Sequence, residues 1–448
     1  MNRSSIVKGL FLLLLLQATA DASEKRESTL YNADSQHLWN RLHAALFVRP
    51  AADGKVYGYD RLDPMLWIRT TYLVSGPSHT DAVELLDQFI DQRGEQLIDD
   101  PLKRALLQNQ LWSVFDWVVF RHRSNWSITQ YHNAERTLRT KLAAVIRRLA
   151  LTPREIRSLP NNYSTALKAI PNGHDAEHPE QHFLPPGLFD EAGPWACLND
   201  NRGDSLTPFH DRQASRSTFL VFLKLPAGRD ATIKFLNQNL SGRATQVYEK
   251  ESNTWTLNRD LPQFPAGTQV ALVRQMMLVD SKANIVGTNL TERVELRVYR
   301  DVPADPVDPH ISGVLGEQDF YMFNLSRRSL LEGKAGLHPP KPGDIEVTFP
   351  EELKAGTDSP EAPNVASERV LDTFDEKPRL ISCHTCHSLP GIHSVKSIVG
   401  GQRTMRPSYS LSENKPKWEK NGSLGRKRSS YEWGLLQGLL EGRSPKPH

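Results

Sequence analysis

Arg293-Val294-Glu295-Leu296-Arg297-Val298-Tyr299 alternates charged and apolar side chains with a period of two. Successive side chains of an extended strand point to opposite faces, so this stretch reads as a β-strand with one face buried. Thr268 to Val279 reads as the strand before it. Asp280-Ser281-Lys282-Ala283-Asn284 has the composition of a turn, and Ile285-Val286 resumes the extended run. Further upstream, Ser217 to Lys224 is a strand candidate stopped by Pro226-Ala227-Gly228. Asp230 then opens a helix through Ala231, Ile233, Phe235 and Leu236. Phe320-Tyr321-Met322-Phe323 adds a further strand. Period-two segments joined by short turns predict a β-rich domain over 216–349, either an antiparallel sheet or a sandwich-like arrangement, with one helix inserted. It holds no nucleophile elbow and no phosphate loop, so it reads as a scaffold or binding surface.

Upstream of that domain the periodicity changes to that of helices. Leu38, Trp39, Leu42, Ala45 and Leu46 recur at helical spacing, and Asp81-Ala82-Val83 opens a second segment facing Leu85, Leu86, Phe89 and Ile90 inward. Pro101 suits the first position of a third helix, with Leu106, Leu107, Leu111, Val114, Phe115 and Val118 as its apolar stripe. Thr129 to Leu149 is a fourth, its arginines forming a solvated face, and Thr152-Pro153-Arg154-Glu155 is a capping box for a short fifth. Residues 23–170 are therefore expected to be a helical bundle, with Trp112, Trp117 and Trp126 in its core. Residues 171–215 lose periodicity and form an irregular connection. His174, His178 and His182 recur every four residues there and would hold a metal on a continuous helix, but Pro179 interrupts one, which favours a solvated loop. Residues 350–366 are rich in Pro, Gly, Glu and Asp and read as a linker. The fold class expected is a multidomain α+β chain.

Composition sets outer bounds. The chain has 448 residues and a formal net charge of +3, so bulk charge points to neither nucleic acid nor a membrane surface. Arg3 and Lys8, the apolar run Gly9 to Leu16, and the small residues Ala18, Ala20 and Ala22 read as a secretory signal peptide over residues 1–22. No later run is long enough for a transmembrane anchor. A periplasmic or secreted protein is expected. Its three cysteines are too few for a disulfide-stapled scaffold. Cys197 reads as a buried thiol acting as a small hydrophobe.

The other two cysteines lie in Cys383-His384-Thr385-Cys386-His387, a C-x-x-C-H sequence. Two thiols three positions apart sit on neighbouring faces of one helical turn, within reach of one edge of a haem, and the next residue follows beneath the ring. A C-x-x-C pair also occurs as a redox disulfide or half of a zinc site. No βαβ unit and no second cysteine pair accompany it here. The five residues resemble the attachment motif of the c-type cytochromes. That resemblance implies one covalent haem c per chain, with Cys383 and Cys386 as thioether anchors and His387 as the proximal iron ligand. It also implies export, since bacteria join haem to such motifs outside the cytoplasm.

Residues 367–448 have the order expected of a small, mostly α-helical class I cytochrome c-like segment. A short helix over Ser367 to Phe374 comes first, then the motif, an irregular loop, and a terminal amphipathic helix opened by Ser429-Ser430-Tyr431-Glu432. Met405 is the candidate distal iron ligand, with His393 and an open distal side as alternatives. Basic residues after His387 include Lys396, Arg403, Arg406, Lys415, Lys417, Lys420, Arg426, Lys427 and Arg428. They read either as a solvated tail or as a positive rim docking an acidic redox protein partner. One-electron transfer is the expected activity. The rivals are a haem peroxidase or sensor with an open distal site, and an exported binding module with a Cys383–Cys386 disulfide.

Overall fold

The computed structural model describes residues 29–50, 56–57, 71–123, 129–200, 216–239, 246–258, 260–300, 318–339, 391–392, 409–410 and 423–443. They fall into two compact units. The first draws on Met1–Thr152, Thr348–Asn364 and Leu435–His448, the second on Pro153–Val347 and Val365–Gly434.

The first unit is helical: α1 (Leu38–Phe47), α2 (Gly76–Asp91), α3 (Pro101–Arg123) and α4 (His132–Arg148), with a short hairpin of β1 (Arg49–Pro50) and β2 (Val56–Tyr57). Pro101 takes the first position of α3, where its missing N–H has no intrahelical role. Asp100 Oδ1 caps the turn by accepting from the Leu102 and Lys103 N–H groups at 2.8 and 3.2 Å. The sequence predicts an amphipathic stripe on this helix, yet residues 105–119 are buried without a break. A helix at the centre of a bundle has no solvent face to keep polar. Its polar residues are accommodated by pairing. Gln110 Oε1 accepts from the Tyr31 hydroxyl at 2.7 Å and lies 3.2 Å from His43 Nδ1. Trp112 and Trp117 are buried as expected, while Trp126 lies outside the described residues. After α2, Arg93 adopts a left-handed conformation, and a Cβ on Gly94 would stand 2.6 Å from Phe89 Cδ2. Only glycine fits there. Its carbonyl accepts from Trp39 Nε1 at 2.7 Å, tying α1 to the end of α2.

The second unit begins with α5 (Pro153–Ser158) and α6 (Asn162–Ala166), which precede an antiparallel sheet. The strands are β3 (Ala196–Asp200), β4 (Ser217–Lys224), β7 (Gln269–Val279), β8 (Ile285–Tyr299), β9 (Gln318–Leu325) and β10 (Leu337–His338). A two-residue edge strand, β11 (Tyr409–Ser410), completes the order β10-β9-β8-β7-β4-β3-β11. A separate hairpin pairs β5 (Gln246–Glu249) with β6 (Thr254–Leu257). The predicted inserted helix is α7 (Arg229–Asn239), between β4 and β5, and α8 (Arg327–Leu331) joins β9 to β10. The Asp280 turn forms as its composition suggests. Asp280 Oδ1 accepts from the Lys282 and Asn284 N–H groups at 2.9 and 2.8 Å, and Ala283 is left-handed.

Mixed α+β architecture is thus present, and of the two arrangements that the patterning allowed, the described strands form one main antiparallel sheet and not a sandwich. The reason lies in what covers its faces. Leu220, Phe222, Ala271, Val273, Leu296 and Val298 pack on one side with Tyr163, Phe183, Leu188 and Trp195. Val221, Leu223, Val270 and Tyr299 pack on the other with Leu236, Leu261 and Phe264. With both faces covered by helices and loops, β4 is buried from Ser217 to Leu223 and loses the alternation of a half-exposed strand. Two features depart from the boundaries drawn from composition. Tyr163 and Ala166 of α6 join the sheet core, so the helical bundle ends at Thr152. Ala196–Asp200, within the expected irregular connection, is a sheet strand.

Candidate functional site

Cys383, Cys386, His387, His393 and Met405 lie outside the described residues, as do the 350–366 linker and the expected helix over Ser367 to Phe374. Their chain neighbours are described. Ile392 is fully buried against Ala196, Leu198, Val221, Phe264 and Tyr299, and its N–H donates to Gln263 Oε1 at 3.1 Å. Tyr409 and Ser410 pair with Asp200 and Asn199 on the sheet edge. Residues 423–428 are helical, Leu424 and Lys427 are buried, and Arg428 Nη2 donates to the Ile285 carbonyl at 3.2 Å. The described parts of 367–434 thus belong with the sheet unit. Lys427 is buried and Arg428, though exposed, is bonded to the sheet unit, so this run is a fixed helical turn and not a free tail.

The terminal amphipathic helix forms as α9 (Tyr431–Leu440). Ser430 Oγ accepts from the Trp433 N–H at 3.2 Å, and Trp433, Leu436 and Leu440 are buried. Cys197 faces the sheet core from β3, its thiol directed to the Leu198 carbonyl at 3.9 Å. It packs as a small apolar group.

The three regularly spaced histidines do not share a helix face; residues 171–190 contain no helix. His178 is exposed and bonds Asp175 at 3.0 Å. His174 and His182 depart from the expected solvated loop by folding onto β9. His174 Nε2 lies 3.3 Å from Asp319 Oδ2, with its ring edge-on to Phe183 and Tyr321. His182 packs edge-on against Tyr321 and Phe323 at 5.6 and 5.8 Å. Tyr321 donates to the Pro179 carbonyl at 2.8 Å, fastening the loop over the strand.

Burial lowers the proton affinity of His182 below the ordinary value of 6.5. The folded state therefore binds fewer protons there than the unfolded chain. Stability is fully present above the unfolded value and is lost as pH falls from there through the lower folded one. His178 shifts the opposite way through its hydrogen bond to Asp175, but it is fully exposed, so its weight is small. The sheet unit is expected to melt at lower temperature at about pH 5 than at about pH 7.5, and His182→Phe to flatten that dependence. Unchanged pH dependence in His182→Phe removes this role.

A further constellation is visible only in the fold. His132 and Glu135 lie one turn apart at the start of α4, on the same face, and His122 comes from the last turn of α3. His122 Nδ1 is 2.7 Å from Glu135 Oε2, and the His122 and His132 ring centroids are 4.6 Å apart. Glu135 is fully buried, whereas His122 is about a third exposed. One ligand atom from each residue lies within 4.8 Å of the others, the only such group among the described residues. The His132-x-x-Glu135 spacing was legible. The chain reversal that brings His122 to it was not.

No helix among the described residues is long and apolar enough to cross a membrane. No protein-family model, no curated protein and no solved structure matches the chain.

Proposed function

We propose that this chain is an exported monohaem c-type cytochrome-like protein that transfers single electrons to or from a redox protein. The observation that carries the reading is the C-x-x-C-H run at 383–387. Its donor set, two thiols and an imidazole, suits covalent haem. Burial of Cys197 in the sheet core keeps the third cysteine in a packing role, which leaves Cys383 and Cys386 to each other or to haem. Cys383 and Cys386 would anchor the macrocycle, His387 would ligate iron from one side, and Met405 would take the other. Bound haem supplies a one-electron iron couple whose potential follows from its axial ligands. Among the described residues, Ile392 and the Tyr409–Ser410 strand fasten two points of the surrounding chain to the sheet. That supports a role for the sheet unit as a rigid platform for the cofactor segment. The basic residues Lys396, Arg403, Arg406, Lys415, Lys417 and Lys420 favour an acidic partner.

The pyridine haemochrome spectrum and intact mass of protein exported from a host that matures c-type haem test this reading. The expected result is a thioether-type haem spectrum that survives denaturation and acid-acetone extraction, with the mass of one haem added. Colourless protein, lighter by the hydrogens of a Cys383–Cys386 disulfide, would replace it with an exported binding module.

A further inference from the structure

We propose that His122, His132 and Glu135 form a second, independent centre, which binds one divalent transition-metal ion of the zinc type. The argument begins with local geometry. A histidine and a glutamate three positions apart on a helix stand side by side, and His132 and Glu135 do so in the first turn of α4. Glu135 also stands in the first turn of α4, the end of a helix that suits an anionic side chain. Packing of α3 against α4 then brings His122 to within 2.7 Å of that carboxylate. A fully buried carboxylate is costly unless cations or donors surround it, and here two imidazoles do.

The donor set selects the ion. Two imidazoles with one carboxylate suit zinc, cobalt, nickel or ferrous iron, whereas calcium and magnesium call for oxygen ligands throughout. Three protein ligands are also the number found at zinc centres that leave a fourth position to water. The ligand atoms now lie within 4.8 Å of one another. Tetrahedral zinc with bonds of about 2.0–2.2 Å would set them roughly 3.4 Å apart, opening the His122–Glu135 pair slightly and closing the wider spacings, movements within the reach of side-chain rotation. The exposed edge of His122 provides a route in for the ion.

The rival explanation is a plain His122–Glu135 ion pair, with His132 present by accident of sequence. The two differ in what they require of His132. Zinc is titrated calorimetrically into metal-stripped full-length chain, with Cys383 and Cys386 either carrying haem or alkylated so that they take up no metal. The expected result is saturable binding of one zinc per chain, which His132→Ala and Glu135→Gln each weaken at least tenfold. Zinc should raise the melting temperature of the parent and leave that of His132→Ala unchanged. His178→Ala, altered in the other histidine-rich segment, should bind as the parent does. Because Glu135 is buried and its variant risks misfolding, the half-exposed His132 carries the decision. Parent protein that takes up no zinc, or His132→Ala that binds it with parental affinity, would overturn the proposal.

Discussion

Protein carrying Cys383→Ser together with Cys386→Ser is expected to lose all covalent haem absorbance while keeping the circular dichroism and melting profile of the parent. Both halves follow from the chemistry of the two sulfurs and from the packing of the sheet unit. Thioether attachment consumes the two sulfurs, and a hydroxyl at the same position forms no such bond under the same conditions. Among the described residues the sheet is held by two buried clusters packed from side chains alone, so its fold is expected to outlast loss of the cofactor. The expected loss is therefore complete in the visible spectrum and small in the melt. Pyridine haemochrome spectra of the parent and the variant, taken at equal protein concentration, read the first effect. A thermal melt followed in the far ultraviolet reads the second. Haem that stays covalently bound in the double variant would place attachment elsewhere. A variant that no longer folds would show these sulfurs to be structural, as a disulfide would be.

How far the sequence discloses this protein depends on the range of the interaction concerned. The C-x-x-C-H run is legible because its chemistry is complete within five residues. Strands β7 and β8 are legible for a similar reason. Asp280 writes its own turn, and Arg293, Glu295 and Arg297 mark one side of β8 as distinct from Val294, Leu296 and Val298. Strand β3 was lost because Ala196-Cys197-Leu198 is short and buried, and nothing in its composition separates a covered strand from a connection. The two-residue strands β10 and β11 exist only through pairing with distant segments, so no local period could reveal them. Helix α3 shows an apolar stripe in its sequence, yet its polar residues are enclosed as well, Gln110 serving Tyr31 and His43 inside the bundle. The His122, His132 and Glu135 cluster needs the α3–α4 reversal as well as its spacing. Sheet and sandwich could not be told apart in the sequence because strand periodicity reports that a face is covered without reporting by what.

The second large effect is expected at Asn162, on the one-turn helix α6. Strand β9 pairs with β8 only from Arg293 onward, so among the described residues the main chain of Thr291 has no strand partner on that side. Asn162 substitutes for one. Its Nδ2 donates to the Thr291 carbonyl at 2.9 Å, and its Oδ1 accepts from the Thr291 N–H at 2.7 Å. Both residues are buried, so water cannot take over when the amide is removed. Asn162→Ala should then cost about 3 kcal/mol, since each buried main-chain group left without a partner costs about 1–3 kcal/mol. At roughly 2–4 °C per kcal/mol for a unit of this size, the sheet unit should melt about 6–12 °C lower. The neighbouring residue supplies the control. Asn161 is exposed and caps α6, its Oδ1 accepting from the Ser164 N–H at 3.1 Å. Asn161→Ala removes only that cap and should cost about 1 kcal/mol. If Asn162 mattered merely as part of the helix end, the two variants would melt alike. Urea unfolding of both proteins decides between these outcomes, and equal midpoints would show that Thr291 does not depend on the amide for its hydrogen bonds.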